Sequence, residues 1–133
     1  NLNLKVHLDE PQKKIDINTD IYLVNSYGKT KSFYKYCKNV FLGGSIITHG
    51  GQNPIEAVRF GCSVLHGPNI ENFREIYEFL KKNKISHKIS KKKDLIDNLA
   101  QLFSKNIKSK KIQKKIKLIG NQILKKTYNE ICH

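Results

Sequence analysis

Residues 43–56 constrain the fold of this chain more than any other stretch. They read Gly43-Gly44-Ser45-Ile46-Ile47-Thr48-His49-Gly50-Gly51-Gln52-Asn53-Pro54-Ile55-Glu56. The apolar run 40–42 leads in, and the helix-like stretch 55–60 leads out. Strand, glycine-rich turn and helix start form the geometry that brings bare backbone N–H groups to a phosphate. With Gly43, Gly44, Gly50 and Gly51 all in one connection, close approach of backbone to a ligand is expected as well as turn geometry. Glu56 has two readings. It is either the third residue of a capping box on Asn53, or a carboxylate accepting two hydrogen bonds from a ribose diol. No Gly-Lys-Ser/Thr follows the glycines and Gly-x-Gly-x-x-Gly is absent, so the pattern points to phosphate without naming a cofactor.

The flanking sequence alternates strand and helix patterns. Residues 4–8, 21–24, 40–42, 63–66 and 85–89 read as strands. Helical patterns cover 31–37, 53–60 (Asn53 as N-cap, Pro54 at the first helical position), 71–82, 94–103 and 112–131. The stripes are Phe73, Ile76, Tyr77 and Leu80; then Leu95, Ile96, Leu99, Leu102 and Phe103; then Ile112, Ile116, Ile119, Ile123 and Leu124. Such alternation predicts an α/β fold, a Rossmann-like parallel sheet with flanking helices. In such sheets ligands bind at the carboxyl ends of the strands, which selects the loops 25–28, 43–51 and 67–72. No internal repeat is visible, and 105–111 reads as a linker.

Composition narrows the classes. The chain has 133 residues, room for one modest domain, and no methionine, which points to a processed or excised piece of something longer. No run of ~20 apolar residues is present. Cys37, Cys62 and Cys132 form no Cys-x-x-Cys pair, which fits a reducing compartment and small buried side chains. The five histidines stand at no metal-ligand spacing, and no Ser/His/Asp or Cys/His arrangement or acid pair marks a self-contained active centre. His49 and His66 fall near the presumed ligand face. The net charge of +14 is uneven. Residues 1–80 carry nine Lys and Arg against eight acids, and residues 81–133 carry sixteen Lys against three. The basic third reads either as a contact for a polyanion or as the Lys-rich output of an AT-rich genome on solvated helix faces.

The stretch from about residue 20 to 89 resembles the C-terminal part of the 3-deoxy-D-manno-octulosonic acid (Kdo) transferases, glycosyltransferases of the GT-B fold. The matching blocks are 22–28 (Tyr-Leu-Val-Asn-Ser-Tyr-Gly), Phe33-Tyr34, 40–45 (Val-Phe-Leu-Gly-Gly-Ser), 50–56 (Gly-Gly-Gln-Asn-Pro-Ile-Glu) and 67–73 (Gly-Pro-Asn-Ile-Glu-Asn-Phe). The resemblance implies a CMP-Kdo donor and a lipid A precursor as acceptor, at the cytoplasmic face of the bacterial inner membrane. It implies that Gly43, Gly44, Ser45, Gly51, Asn53 and Glu56 line the CMP site, with Ser26, Gly28 and Asn72 bordering the same cleft. Glu56 would then hold the ribose. No metal and no cofactor beyond the donor substrate are implied. The chain departs from the family pattern at Asn25 and Lys29, where carboxylates are usual, at Gln52, usually His, and at Ala57, usually Pro.

On this basis residues 1–104 are expected to be a partial donor-binding α/β domain, the incomplete C-terminal half of a GT-B fold. Residues 105–133 are expected to be a Lys-rich linker and amphipathic helix. An N-terminal acceptor domain with the catalytic carboxylate would lie outside this chain, which alone is expected to be inactive. The Lys-rich third would meet an anionic membrane surface. The last helix, lacking a partner, would be exposed or self-associated. Three other readings stay open: a GT-B enzyme using another nucleotide sugar, a basic polyanion- or nucleic-acid-binding module, and a degenerate remnant that folds poorly and has no activity. The second has only Phe103 and Tyr128 as aromatics in the basic third.

Overall fold

The computed structural model describes residues 3–10, 12–104 and 109–131. It divides into two compact units, Asn1–Thr30 and Lys31–His133.

In the first unit, β1 (Val6–Leu8) pairs in parallel with β2 (Ile21–Leu23), Val6 opposite Ile21 and Leu8 opposite Leu23. Parallel neighbours need a crossover of about a dozen residues, which 9–20 supply, with no helix among their described residues. Asp20 closes the crossover by accepting the Lys5 N–H at 2.9 Å. On one face the rings of His7 and Tyr22 stack, 5.5 Å apart.

The second unit holds the larger sheet, β3 (Asn39–Leu42), β4 (Ser63–His66) and β5 (Ser86–Lys88), parallel and in that spatial order. The described strands thus form two separate sheets, not one. Its helices are α1 (Thr30–Tyr36, beginning at the boundary between the units), α2 (Ile55–Arg59), α3 (Arg74–Lys82, entered through a 3-10 turn at Glu71–Phe73), α4 (Lys92–Ser104) and α5 (Ser109–Ile131). Every residue of β4 is buried, as a central parallel strand requires. Its side chains alternate between two cores. Val64 packs with Leu42, Val58, Tyr77, Leu80 and Ile112, joining β3, α2, α3 and α5. Leu65 points the other way, to Ile89 and Leu102, with Leu95 and Leu99 of α4 packed around them.

Three local expectations are corrected. The helix after the glycine loop starts at Ile55, with Pro54 at the N-cap, and Asn53 acts one residue earlier by accepting the Ile55 N–H on Oδ1 at 3.0 Å. Ile96 and Phe103 are exposed, so the buried stripe of α4 is Leu95, Leu99 and Leu102. α5 begins at Ser109, inside the expected linker, and residues 105–108 lie outside the described ones. Nor is the stripe of α5 without a partner. Ile112 is buried in the main core, Ile116 packs against it, and Gln113 donates to the Phe60 carbonyl at 2.9 Å. The side chains of Ile123 and Leu124 lie outside the described residues.

Candidate functional site

The loops that leave the carboxyl ends of β3 and β4 interlock. Ser45, fully buried, ties them together: its hydroxyl donates to the Leu42 carbonyl at 2.7 Å and accepts the Gly67 N–H at 2.8 Å. The Ser45 carbonyl accepts the Asn69 N–H at 2.9 Å, and the Asn69 side-chain amide donates to Ile46 O at 3.0 Å. Gly51 N–H bonds to Gly44 O at 3.2 Å, closing the glycine loop on itself, and Asn72 N–H bonds to Gly50 O at 3.3 Å.

The glycines divide by role. A Cβ at Gly67 would meet the Ser45 carbonyl oxygen at 2.2 Å, and one at Gly51 would meet Asn69 O at 3.1 Å. At Gly50 it would collide with the Asn72 side chain. These three permit loop to pack on loop. Gly43 is different, because a Cβ there would meet nothing within 4 Å. Of the glycines singled out in the sequence, Gly43 and Gly44 offer backbone to the outside, whereas Gly51 is buried in the scaffold.

From below, α3 holds the platform. The Tyr77 hydroxyl donates to Gln52 O at 2.9 Å, and its ring lies against His66, centroids 4.3 Å apart. Burial pushes the Tyr77 hydroxyl up to about 12. Burial likewise lowers the pKa of His66, whose Nδ1 lies 2.7 Å from Gly67 O and donates to it. The sequence placed His66 near the ligand face and gave Tyr77 no part in the site. Only the aromatic position in the α3 stripe signalled Tyr77, and it reads equally well as core.

Glu56 stands in the first turn of α2 with its side chain 46% exposed. Its carboxylate faces Lys31 Nζ at 3.5 Å and does not turn back to cap the helix, so the capping-box reading falls. Asn53 and Asn72 are exposed nearby along the same two loops. The second unit therefore brings together Gly43, Gly44, Gly51, Asn53, Glu56 and Asn72 around β3 and β4, with Ser45 beneath as the tie. The Ser45 hydroxyl is committed to two backbone groups, so its part is to position the loops.

Ser26 and Gly28 belong to the first unit. Ser26 Oγ donates to Asp9 Oδ2 at 3.4 Å, and Gly28 has φ +85°, a conformation suited to glycine. Asp9 gathers Lys29, Tyr22 (2.5 Å) and Ser26, and the Lys29 ammonium together with the Tyr22 hydroxyl holds its carboxyl below the usual range. Lys29, a departure from the family pattern, is thus matched by an acid within its own unit.

Among the described residues no group of His, Cys, Asp or Glu could hold a metal ion, and no helix is long and apolar enough to cross a membrane. Around these loops stand open backbone, an exposed carboxylate and two amide side chains.

No family model matches the chain. Its curated relatives include 3-deoxy-D-manno-octulosonic acid transferases. That of Aquifex aeolicus is 29% identical over 104 residues, 77% of this chain and 30% of the relative. That of Rickettsia prowazekii is 30% identical over 90 residues, 68% and 19% respectively. That of Haemophilus influenzae is 38% identical over 63 residues, 47% and 15%. The chain spans less than a third of the length of these relatives. Its fold is similar to that in a crystal structure of the C-terminal CMP-Kdo binding domain of WaaA from Acinetobacter baumannii. The TM-score is 0.74 over 88% of this chain and 61% of that one, at 22% identity.

Proposed function

The chain belongs to the Kdo transferase family as a counterpart of its C-terminal domain, and on that premise we propose that its second unit carries a half-site for the nucleotide of CMP-Kdo. The observation that carries this reading is the placement of Glu56. It is an exposed carboxylate one turn beyond a glycine loop, at the carboxyl end of a parallel strand and beside the loop of the next strand. In this reading Glu56 accepts hydrogen bonds from the ribose diol. Gly43 and Gly44 let the backbone approach the phosphate, while Asn53 and Asn72 border the nucleotide. α2 has only five residues, so its dipole adds little and the loop backbone carries the phosphate contact. Ser45, Tyr77 and Gly67 keep the platform rigid before the ligand arrives, which lowers the entropic cost of binding.

The rest of the activity belongs to the proposal too. Kdo would move from CMP-Kdo to a lipid A precursor in a GT-B enzyme at the inner face of the membrane. The catalytic carboxylate and the acceptor site would lie outside these residues. Calorimetric titration of the chain with CMP, and with UMP and AMP as controls, tests the donor assignment. Binding of CMP that Glu56→Ala abolishes supports it. Equal affinity for all three nucleotides, unchanged by Glu56→Ala, refutes it.

A further inference from the structure

Five of the sixteen lysines in residues 81–133 gather around one concave space. A cleft of about 1170 Å³ runs along β5 between the end of α3, α4 and the start of α5. Five lysines line it: Lys81 and Lys84 at the end of α3, Lys88 at the end of β5, and Lys111 and Lys115 in the first turns of α5. Among the described residues no Asp or Glu lines it. Ion pairs among the described residues engage Lys13, Lys29 and Lys31, none of which borders the cleft. Five like charges around one concave space repel one another, and the field they sum to is focused inside the cleft. An anion bound there relieves that repulsion.

Lys84 adds a second, independent sign. It follows the C-cap Asn83 of α3 with φ +58°. Its N–H bonds to Lys81 O and the Ile85 N–H to Leu80 O, both at 2.9 Å, which is the Schellman arrangement that glycine usually completes. A lysine therefore occupies a strained backbone position on the rim of the cleft.

The lining also selects the ligand. Lysine binds phosphate as a point charge and needs no planar partner. Among the described residues no Phe, Tyr or Trp lines the cleft, so the large aromatic platforms on which nucleic-acid bases stack are missing from its described lining. We propose that this cleft binds a ligand carrying clustered phosphate groups, either a free polyphosphate-type compound or the phosphates of lipid headgroups. None of residues 43–56 lines it, and the inference does not depend on the donor assignment.

The test titrates inorganic triphosphate into the full chain and compares two double variants of equal net charge. Lys84→Glu with Lys111→Glu alters the cleft, and Lys92→Glu with Lys93→Glu alters the first turn of α4 outside it. Triphosphate should bind the wild type, about tenfold or more weakly the cleft variant, and within about twofold of wild type the control. Lys84→Gln with Lys111→Gln, checked for an unchanged amide spectrum, should weaken binding as well, which separates loss of the site from loss of fold. Flotation with phosphatidylcholine vesicles, with and without phosphatidylglycerol, distinguishes the sources. Capture by anionic vesicles that triphosphate competes away identifies headgroups, and triphosphate binding without capture identifies a free compound. Equal weakening in both Glu variants, or binding of neither probe, overturns the proposal.

Discussion

Gly67→Ala should damage this protein far more than its single added methyl suggests. The new Cβ would lie 2.2 Å from the Ser45 carbonyl oxygen, 2.5 Å from its carbon and 2.7 Å from the Ile46 nitrogen. All three are backbone atoms, so no rotamer change relieves the contact. Ordinary contact begins near ~3.5 Å, so the loop after β3 must retreat by about 1 Å. That movement breaks the bonds from Gly67 N–H to Ser45 Oγ (2.8 Å) and from Asn69 N–H to Ser45 O (2.9 Å). Overpacking costs about 1–3 kcal/mol and each broken bond about 1 kcal/mol, together roughly 3–5 kcal/mol. Against a typical stability of about 5–15 kcal/mol, that is a large share. Gly43→Ala is the control. Its Cβ meets nothing within 4 Å, so stability should stay within about 0.5 kcal/mol of wild type while nucleotide binding weakens. Urea unfolding followed by circular dichroism reads both. With a slope of about 1.5 kcal/mol/M, the Gly67→Ala midpoint should fall by about 2 M or more. Coincident midpoints for the two variants would refute the interlocked-loop account.

Tyr77→Phe removes the bond to Gln52 O (2.9 Å) and should cost about 0.5–1.5 kcal/mol, with faster amide exchange confined to residues 50–54. Burial lowers the pKa of His66, so the unfolded chain takes up a proton that the fold refuses; stability should fall as pH drops below 6.5, and much less so in His66→Gln. The Cys62 thiol is fully buried and pushed up to about 11 by that burial, so iodoacetamide at about pH 8 should label exposed Cys37 and spare Cys62 until urea is added, as peptide mass mapping would reveal. Lys84→Gly should raise stability by about 0.5–1 kcal/mol in the same urea assay by relieving a left-handed backbone, while weakening triphosphate binding.

What the sequence disclosed and what it withheld follow from the range of the forces involved. Residues 40–42 and 63–66 were readable as strands because each is a short apolar run closed by glycine, a local signal. Glu56 was placed correctly in a first helical turn, but its partner Lys31 is 25 positions away, beyond any spacing rule. The family resemblance implied a ligand contact for Ser45, and a small hydroxyl beside glycines has a second use. Only the loop from β4, 22 residues on, decides that it ties backbone to backbone. The loops 43–51 and 67–72 were selected for close approach to a ligand, and within them a Cβ at Gly51 or Gly67 would meet the neighbouring loop. The stripe of α5 was visible, but not that Ile112 and Ile116 would dock against the core of α2 and α3. Periodicity states which face is apolar and leaves open what covers it.

The donor half-site is tested most directly by mapping CMP onto the backbone amide resonances of the full chain, in the wild type and in Glu56→Gln. The account predicts shifts at residues 43, 44, 52–56 and 69–72, absent with UMP and AMP, and lost in Glu56→Gln although the spectrum stays dispersed. Shifts that miss both loops, or that persist unchanged in Glu56→Gln, would contradict it.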